Sequence, residues 1–202
     1  MNTGEFNSVL REKIANIILY LTRGQRIHFV KILKLLYLTD EFALKQEGAP
    51  ITWLQYNAWK RGPVPVDVYN EVIAIAKGKE PIVDEQSLYL YQYLNCIEED
   101  GKKLLIPQKD ADTDTLSDFD IEILDKILAE YGDKTTEELV EITHSEGSLW
   151  HSAVTQNNLD EHFKLVGDES NVPLQFISLL DSDFKKSVYS ESLDSLRINK
   201  YF

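Results

Sequence analysis

The stretch RIHFVKILKLLYLTDEFALKQEG, residues 26–48, constrains the fold more than any other part of the chain. Its apolar residues Ile27, Phe29, Val30, Ile32, Leu33, Leu35, Leu36, Tyr37 and Leu38 are too many for one stripe of an α-helix. A helix apolar nearly all round must be surrounded by other elements. The pattern therefore predicts a central, mostly buried helix that ends before Gly48.

The neighbouring segments supply the expected cover. Residues 5–22 space Phe6, Val9, Leu10, Ile14, Ile17, Ile18 and Leu21 at three- and four-residue intervals, an amphipathic helix with Gly24 as its stop. Residues 49–65 change character: Pro50, Gly62, Pro63 and Pro65 break helices, whereas Ile51, Trp53, Tyr56, Trp59 and Val64 favour extended backbone. A turn or short helix followed by a strand near Tyr56–Lys60 is expected. Tyr69, Val72, Ile73 and Ala76 then form a third helical face stopped by Gly78.

LYLYQYLNCIEEDGKKLLIP, residues 88–107, reads as an antiparallel hairpin turning at Asp100-Gly101. The polar KDADTDT, residues 109–115, reads as a connector. Ser117 with Asp120, and Thr135 with Glu138, fit capping boxes that open two helices. Ile121, Leu124 and Leu128 should face inward on the first, and Leu139, Ile142 and Thr143 on the second. A short helix should begin at Ser148. The expected class is α+β, a predominantly α-helical domain with a small antiparallel hairpin or sheet. It should cover residues 1–165, and residues 166–202 should form a C-terminal tail that docks on the domain or binds a partner.

Charge narrows the function classes. Residues 1–109 carry thirteen acidic against fourteen basic side chains, residues 110–170 seventeen against three, and the remainder four of each. The net charge of -13 thus sits in one segment. That segment repels phosphate backbones and attracts cationic surfaces, which argues against nucleic acid there and for a protein partner. No apolar run approaches the length of a membrane span, and MNTGEFNSVLREK lacks the basic-then-apolar order of a signal peptide, so the cytoplasm is the expected compartment. Cys96 is the sole cysteine and reads as a small half-buried hydrophobe.

Catalytic patterns are missing. GDKTT at residues 132–136 has a Lys-Thr pair without the glycine register of a phosphate loop, and no G-x-G-x-x-G, G-x-S-x-G or H-E-x-x-H occurs. His144, His151 and His162, with Glu146, Asp160 and Glu161 nearby, are the candidate metal or acid/base set. Gly147 interrupts the helix they would need to share, so no metal, cofactor or catalytic residue is assigned, and His144 is read as structural.

WKRGPVPVDVY, residues 59–69, suggests another role. Pro63 and Pro65 fix their own φ and push Gly62 and Val64 towards extended backbone, and Pro65 suits a first helical turn. A stiff platform displaying Trp59, Lys60 and Arg61 would lose little entropy on docking, and aromatic and Arg side chains dominate interfaces. The candidate partner-binding residues are Trp59, Lys60, Arg61, Gly62, Pro63, Val64, Pro65 and Tyr69.

Four ordered blocks, KLLYLTDEF (34–42), GAPIT (48–52), YNAWKRGPVPVDVYNEV (56–72) and THSEGSLWHSA (143–153), resemble the Panacea domain family of SocA-like, phage-associated proteins. The resemblance spans roughly residues 8–160. Lys34, Leu35, Leu36, Tyr37, Asp40, His144 and Trp150 are the motif residues to which it attaches structural roles. It implies an antitoxin that neutralises a cognate protein toxin, encoded by an adjacent gene, through direct contact and without chemistry. Some members add a DNA-binding domain, which is not expected in this sequence. The alternative is a phage-related adaptor that delivers a partner to host machinery such as a protease.

Overall fold

The computed structural model describes residues 8–79 and 87–198. Helix α1, Ser8–Thr22, enters the core from Ile14 onward. Val9 belongs to the turn before that point and is exposed, contrary to the inward position expected of it, while Phe6 lies outside the described residues. Left-handed Arg23 (φ 50°) and Gly24 (φ 68°) end the helix.

Helix α2, Phe29–Glu47, is the central element, with Ile32, Leu33, Leu35, Leu36, Tyr37, Ala43 and Leu44 all buried. It ends at Gly48, whose φ of 86° lets its N–H donate to the Leu44 carbonyl at 2.8 Å. The start of the expected helix differs. Ile27–His28 form strand β1, because pairing Ile27 with Leu105 and His28 with Leu104 gives their backbone a ladder that a frayed first turn would lack.

Strands β2 (Tyr56–Trp59) and β3 (Gly62–Pro65) make a tight antiparallel pair joined by Lys60 and Arg61. Helix α3, Val66–Ala76, follows directly. Pro65 is the residue before that helix (φ -76°, ψ 101°) rather than part of its first turn, since it is still paired with Tyr56.

Strands β4 (Leu94–Glu99) and β5 (Lys102–Pro107) form the expected hairpin, with positive φ at both Asp100 and Gly101, and β1 adds to the β5 edge. Residues 90–92 form a 3₁₀ turn instead of strand. The cause is Glu71 on α3, whose carboxylate accepts from the backbone N–H groups of Leu88 and Leu90 and so draws the chain out of the ladder.

Helix α4, Asp118–Tyr131, and α5, Thr136–His144, open with the two capping boxes, both complete. Helices α6 (Leu149–Gln156), capped by Ser148, and α7 (Leu159–Leu165) continue the chain, and α8 is Asp183–Ile198. On α4, Leu124 and Leu128 are buried as expected together with Ile123 and Ile127, and Ile121 is half-buried. Buried side chains from Ile14 to Leu174 form one continuous cluster around α2. The fold is α+β with helices predominant and antiparallel sheets of two and three strands.

Residues 168–174 run along the free edge of β2. The Ala58 N–H donates to the Val172 carbonyl (2.9 Å), the Leu174 N–H to the Tyr56 carbonyl (2.8 Å), and Asn57 bridges Pro173. Leu174 and Leu180 are buried.

Candidate functional site

Helix α2 holds the β2–β3 hairpin at both ends. At the turn end, Lys34 Nζ donates to the Pro63 carbonyl at 2.7 Å. At the other, the Tyr56 hydroxyl donates to Asp40 Oδ2 at 2.7 Å, and Tyr56 meets Tyr37 edge-to-face at 5.6 Å. Asp40 also accepts from the Ile51 and Thr52 N–H groups and the Thr52 hydroxyl, so one carboxylate organises residues 51–56. Leu35 and Leu36 point into the core.

Helices α5 and α6 reach the same turn from the other side. His144 stacks flat on Trp150, ring centroids 3.5 Å apart and planes within 3°, and Trp150 Nε1 donates to the Trp59 carbonyl at 2.7 Å. His144 Nε2 is buried without a hydrogen-bond partner among the described residues. Burial, then the neighbouring Lys34 charge, push the imidazole pKa down to about 4, with a hydrogen bond to the Arg61 backbone opposing them. The ring is therefore neutral at pH 7 and unsuited to act as a general acid there. Among the described residues no group of three or more His, Cys, Asp or Glu is arranged to hold a metal ion.

Gly62 shows how closely these parts converge. A Cβ there would stand 2.8 Å from Lys34 Nζ, 2.9 Å from Thr143 Oγ1 and 3.2 Å from His144 Nε2, and its φ of 100° is one that side chains rarely adopt. Gly62→Ala is expected to lower stability by about 2–4 kcal/mol, from backbone strain plus displacement of the Lys34 contact. Denaturant titration reads this, and a loss under about 0.5 kcal/mol, the range of an ordinary surface change, would contradict it.

The structure brings together Lys34, Trp59 to Pro65, Tyr69, His144 and Trp150, while Tyr37 and Asp40 act at the opposite end of the hairpin. Gly62, Pro63, Val64 and Pro65 are buried, so the accessible part consists of Lys60 and Arg61 with the half-buried Trp59 and Tyr69. Trp59 and Tyr69 meet edge-to-face at 4.7 Å, and Trp59 Nε1 donates to the Ser170 carbonyl at 3.0 Å. Lys60 pairs with Asp168 at 2.9 Å.

Sequence reasoning missed Thr143 as a neighbour of Gly62, and missed Asp168, Glu169 and Ser170 altogether. Those three lie far along the chain, beyond the motif blocks, and no local pattern ties them to β2. A cleft of about 360 Å³ opens beside the turn, lined by the rings of Phe29, Trp59 and Tyr69 and by the charged residues Lys34, Arg61, Asp168 and Glu169.

No helix among the described residues is long and apolar enough to cross a membrane. Comparison with curated proteins gave no match, and comparison with solved structures gave none either. A family model described as "Antitoxin SocA-like, Panacea domain" matches residues 32–151, a span that holds most of α2, the β2–β3 hairpin and the His144–Trp150 stack. With more than half of its length matched, the chain belongs to the SocA-like antitoxin, Panacea domain family.

Proposed function

We propose that this protein is a cytoplasmic antitoxin that neutralises a cognate protein toxin by binding it directly through the β2–β3 turn. The observation that carries the reading is the clamp on that turn. A buried lysine, a buried tryptophan and the 168–174 strip all bond to the hairpin, and the two charged residues at its tip, Lys60 and Arg61, are exposed. A tip held this rigidly loses little conformational entropy when a partner docks. The acidic helices α4 and α5 offer a second surface for a cationic partner.

The adaptor alternative draws on apolar groups beyond residue 171. Leu174 and Leu180 are committed to the fold, which leaves Ile177 and Phe184 as the exposed large apolar groups there among the described residues. That favours the antitoxin reading.

The test is to express the product of the adjacent gene under tight control, alone and with this chain, and to co-purify the pair. Toxicity relieved by co-expression, with a stable complex weakened roughly tenfold or more by the double charge reversal Lys60→Glu and Arg61→Glu, is the expected result. A harmless neighbour that forms no complex overturns the role. A complex indifferent to the reversal moves the contact surface elsewhere.

A further inference from the structure

Beside the clamped turn lies a cleft with an unusual charge arrangement. Lys34 is fully buried behind its wall and has no carboxylate partner among the described residues; its ammonium bonds to the Pro63 carbonyl. Arg61 stands at the mouth, exposed and in no ion pair among the described residues, and the two cations repel each other. Asp168 is already engaged by Lys60, and Lys103 by Glu98 at 3.8 Å, so Glu169, whose charge reaches Tyr69, is the acidic lining group left without an ion pair among the described residues. The lining also includes the aromatic rings of Phe29, Trp59 and Tyr69 and the aliphatic side chains of Val30, Leu33 and Val64. A buried cation is ordinarily compensated by a carboxylate, and here none is supplied from within the described residues.

Resting on the toxin-binding reading above, we propose that this cleft receives an acidic side chain of the partner protein, its carboxylate against Arg61 and within the field of Lys34, with apolar flanking atoms on the aromatic walls. The cleft supplies what an acidic peptide segment needs: a guanidinium that pairs with a carboxylate in a fork, a second positive charge in a low-dielectric wall, and flat apolar surfaces for the neighbouring side chain. At about 360 Å³ it suits one or two side chains rather than a whole element.

The arrangement carries its own signature in pH. Burial, then the Arg61 charge, push the Lys34 pKa down to about 7. The groups facing it are Arg61 on the turn and His144 on α5, with His28 and Lys103 from the sheet and Asp168 and Glu169 after α7 lining the same cleft region. A bound anion favours the protonated ammonium. Binding should therefore take up a proton above pH 7 and weaken as pH rises through that value.

The probe is 3-phenylpropionate, with 3-phenylpropionamide as its uncharged counterpart, titrated into the full chain and followed by tryptophan fluorescence and calorimetry. The carboxylate is expected to bind with a Kd on the order of a millimolar and at least tenfold more tightly than the amide. Arg61→Gln should weaken it about tenfold. Lys34→Met should weaken it and abolish the severalfold loss of affinity expected of the wild type between pH 6 and 8.5. Equal affinity for acid and amide, no binding of either, or a pH profile unchanged by Lys34→Met would overturn the proposal. Inorganic phosphate displacing the carboxylate at equal or lower concentration would overturn it too, by indicating a phosphate ligand such as a nucleic-acid backbone. Because the titration uses no partner, its failure leaves the co-expression result standing, and failure of co-expression leaves the carboxylate selectivity standing.

Discussion

Replacing Asp40 by alanine is expected to lower stability by about 3–5 kcal/mol, among the largest losses available from a single side chain. Asp40 is fully buried, and its carboxylate accepts from the N–H groups of Ile51 (2.9 Å) and Thr52 (2.8 Å), the Thr52 hydroxyl and the Tyr56 hydroxyl. Burial pushes its pKa up, and the hydrogen bonds from Thr52, Tyr56 and Ile51 hold it back. Truncation would leave two backbone donors, the Thr52 hydroxyl and a phenol buried without that acceptor, each worth about 1–3 kcal/mol.

Asp40→Asn should fall between the two, because its amide retains one acceptor oxygen but turns an NH₂ towards hydroxyls and N–H groups that are already donating. For a chain of this length the alanine variant should melt about 10 °C lower, since each kcal/mol moves the midpoint by roughly 2–4 °C. Thermal and denaturant unfolding of the three proteins would check the order. A loss under about 1 kcal/mol for alanine would mean that residues 51–56 are held by packing and not by this carboxylate. The functional consequence follows from position: Asp40 fixes Tyr56, where β2 begins, so its loss should also loosen the turn that Lys60 and Arg61 occupy.

How much of this was legible in the sequence depended on distance along the chain. Helix α2 was visible because its apolar residues crowd every face, and the capping boxes at Ser117 and Thr135 because their partners stand three residues away. Asp100-Gly101 announced its hairpin for the same local reason. What failed was set by remote partners. Ile27 and His28 read as helix until β5 offered them a ladder, and residues 90–92 read as strand until Glu71 claimed their backbone.

The site divides in the same way. The blocks named Lys34, Asp40, His144 and Trp150, yet periodicity could not reveal that Lys34 and His144 crowd around Gly62, because that meeting is tertiary. The strip at residues 168–174 was invisible from sequence: its polar, turn-forming residues carry no strand pattern, and its bonds to β2 use mainly backbone atoms.

Between pH 7 and 9 the wild-type protein is expected to gain about 2–3 kcal/mol of stability relative to Lys34→Met, a difference that isolates one buried ammonium. In the unfolded chain this lysine holds its proton up to about 10.5, whereas burial and the Arg61 charge bring the folded value down to about 7. Across that window the unfolded state binds the extra proton, so the folded state gains as pH rises and loses as pH falls towards 7. At neutral pH the charge therefore opposes folding. Methionine of similar volume removes that penalty but leaves the Pro63 carbonyl without its donor, for a net stabilisation of about 1–3 kcal/mol. Other shifted groups, among them Cys96, whose thiol burial pushes up, and Lys31, which burial pushes down, are common to both proteins and cancel in the comparison. Melting curves of the pair at half-unit pH steps would provide the test. Parallel profiles would show that Lys34 titrates alike in the folded and unfolded chains and would remove the charged wall from the cleft. Profiles that converge with rising pH would locate a destabilising positive charge behind Trp59 and Arg61, where an incoming carboxylate would relieve it.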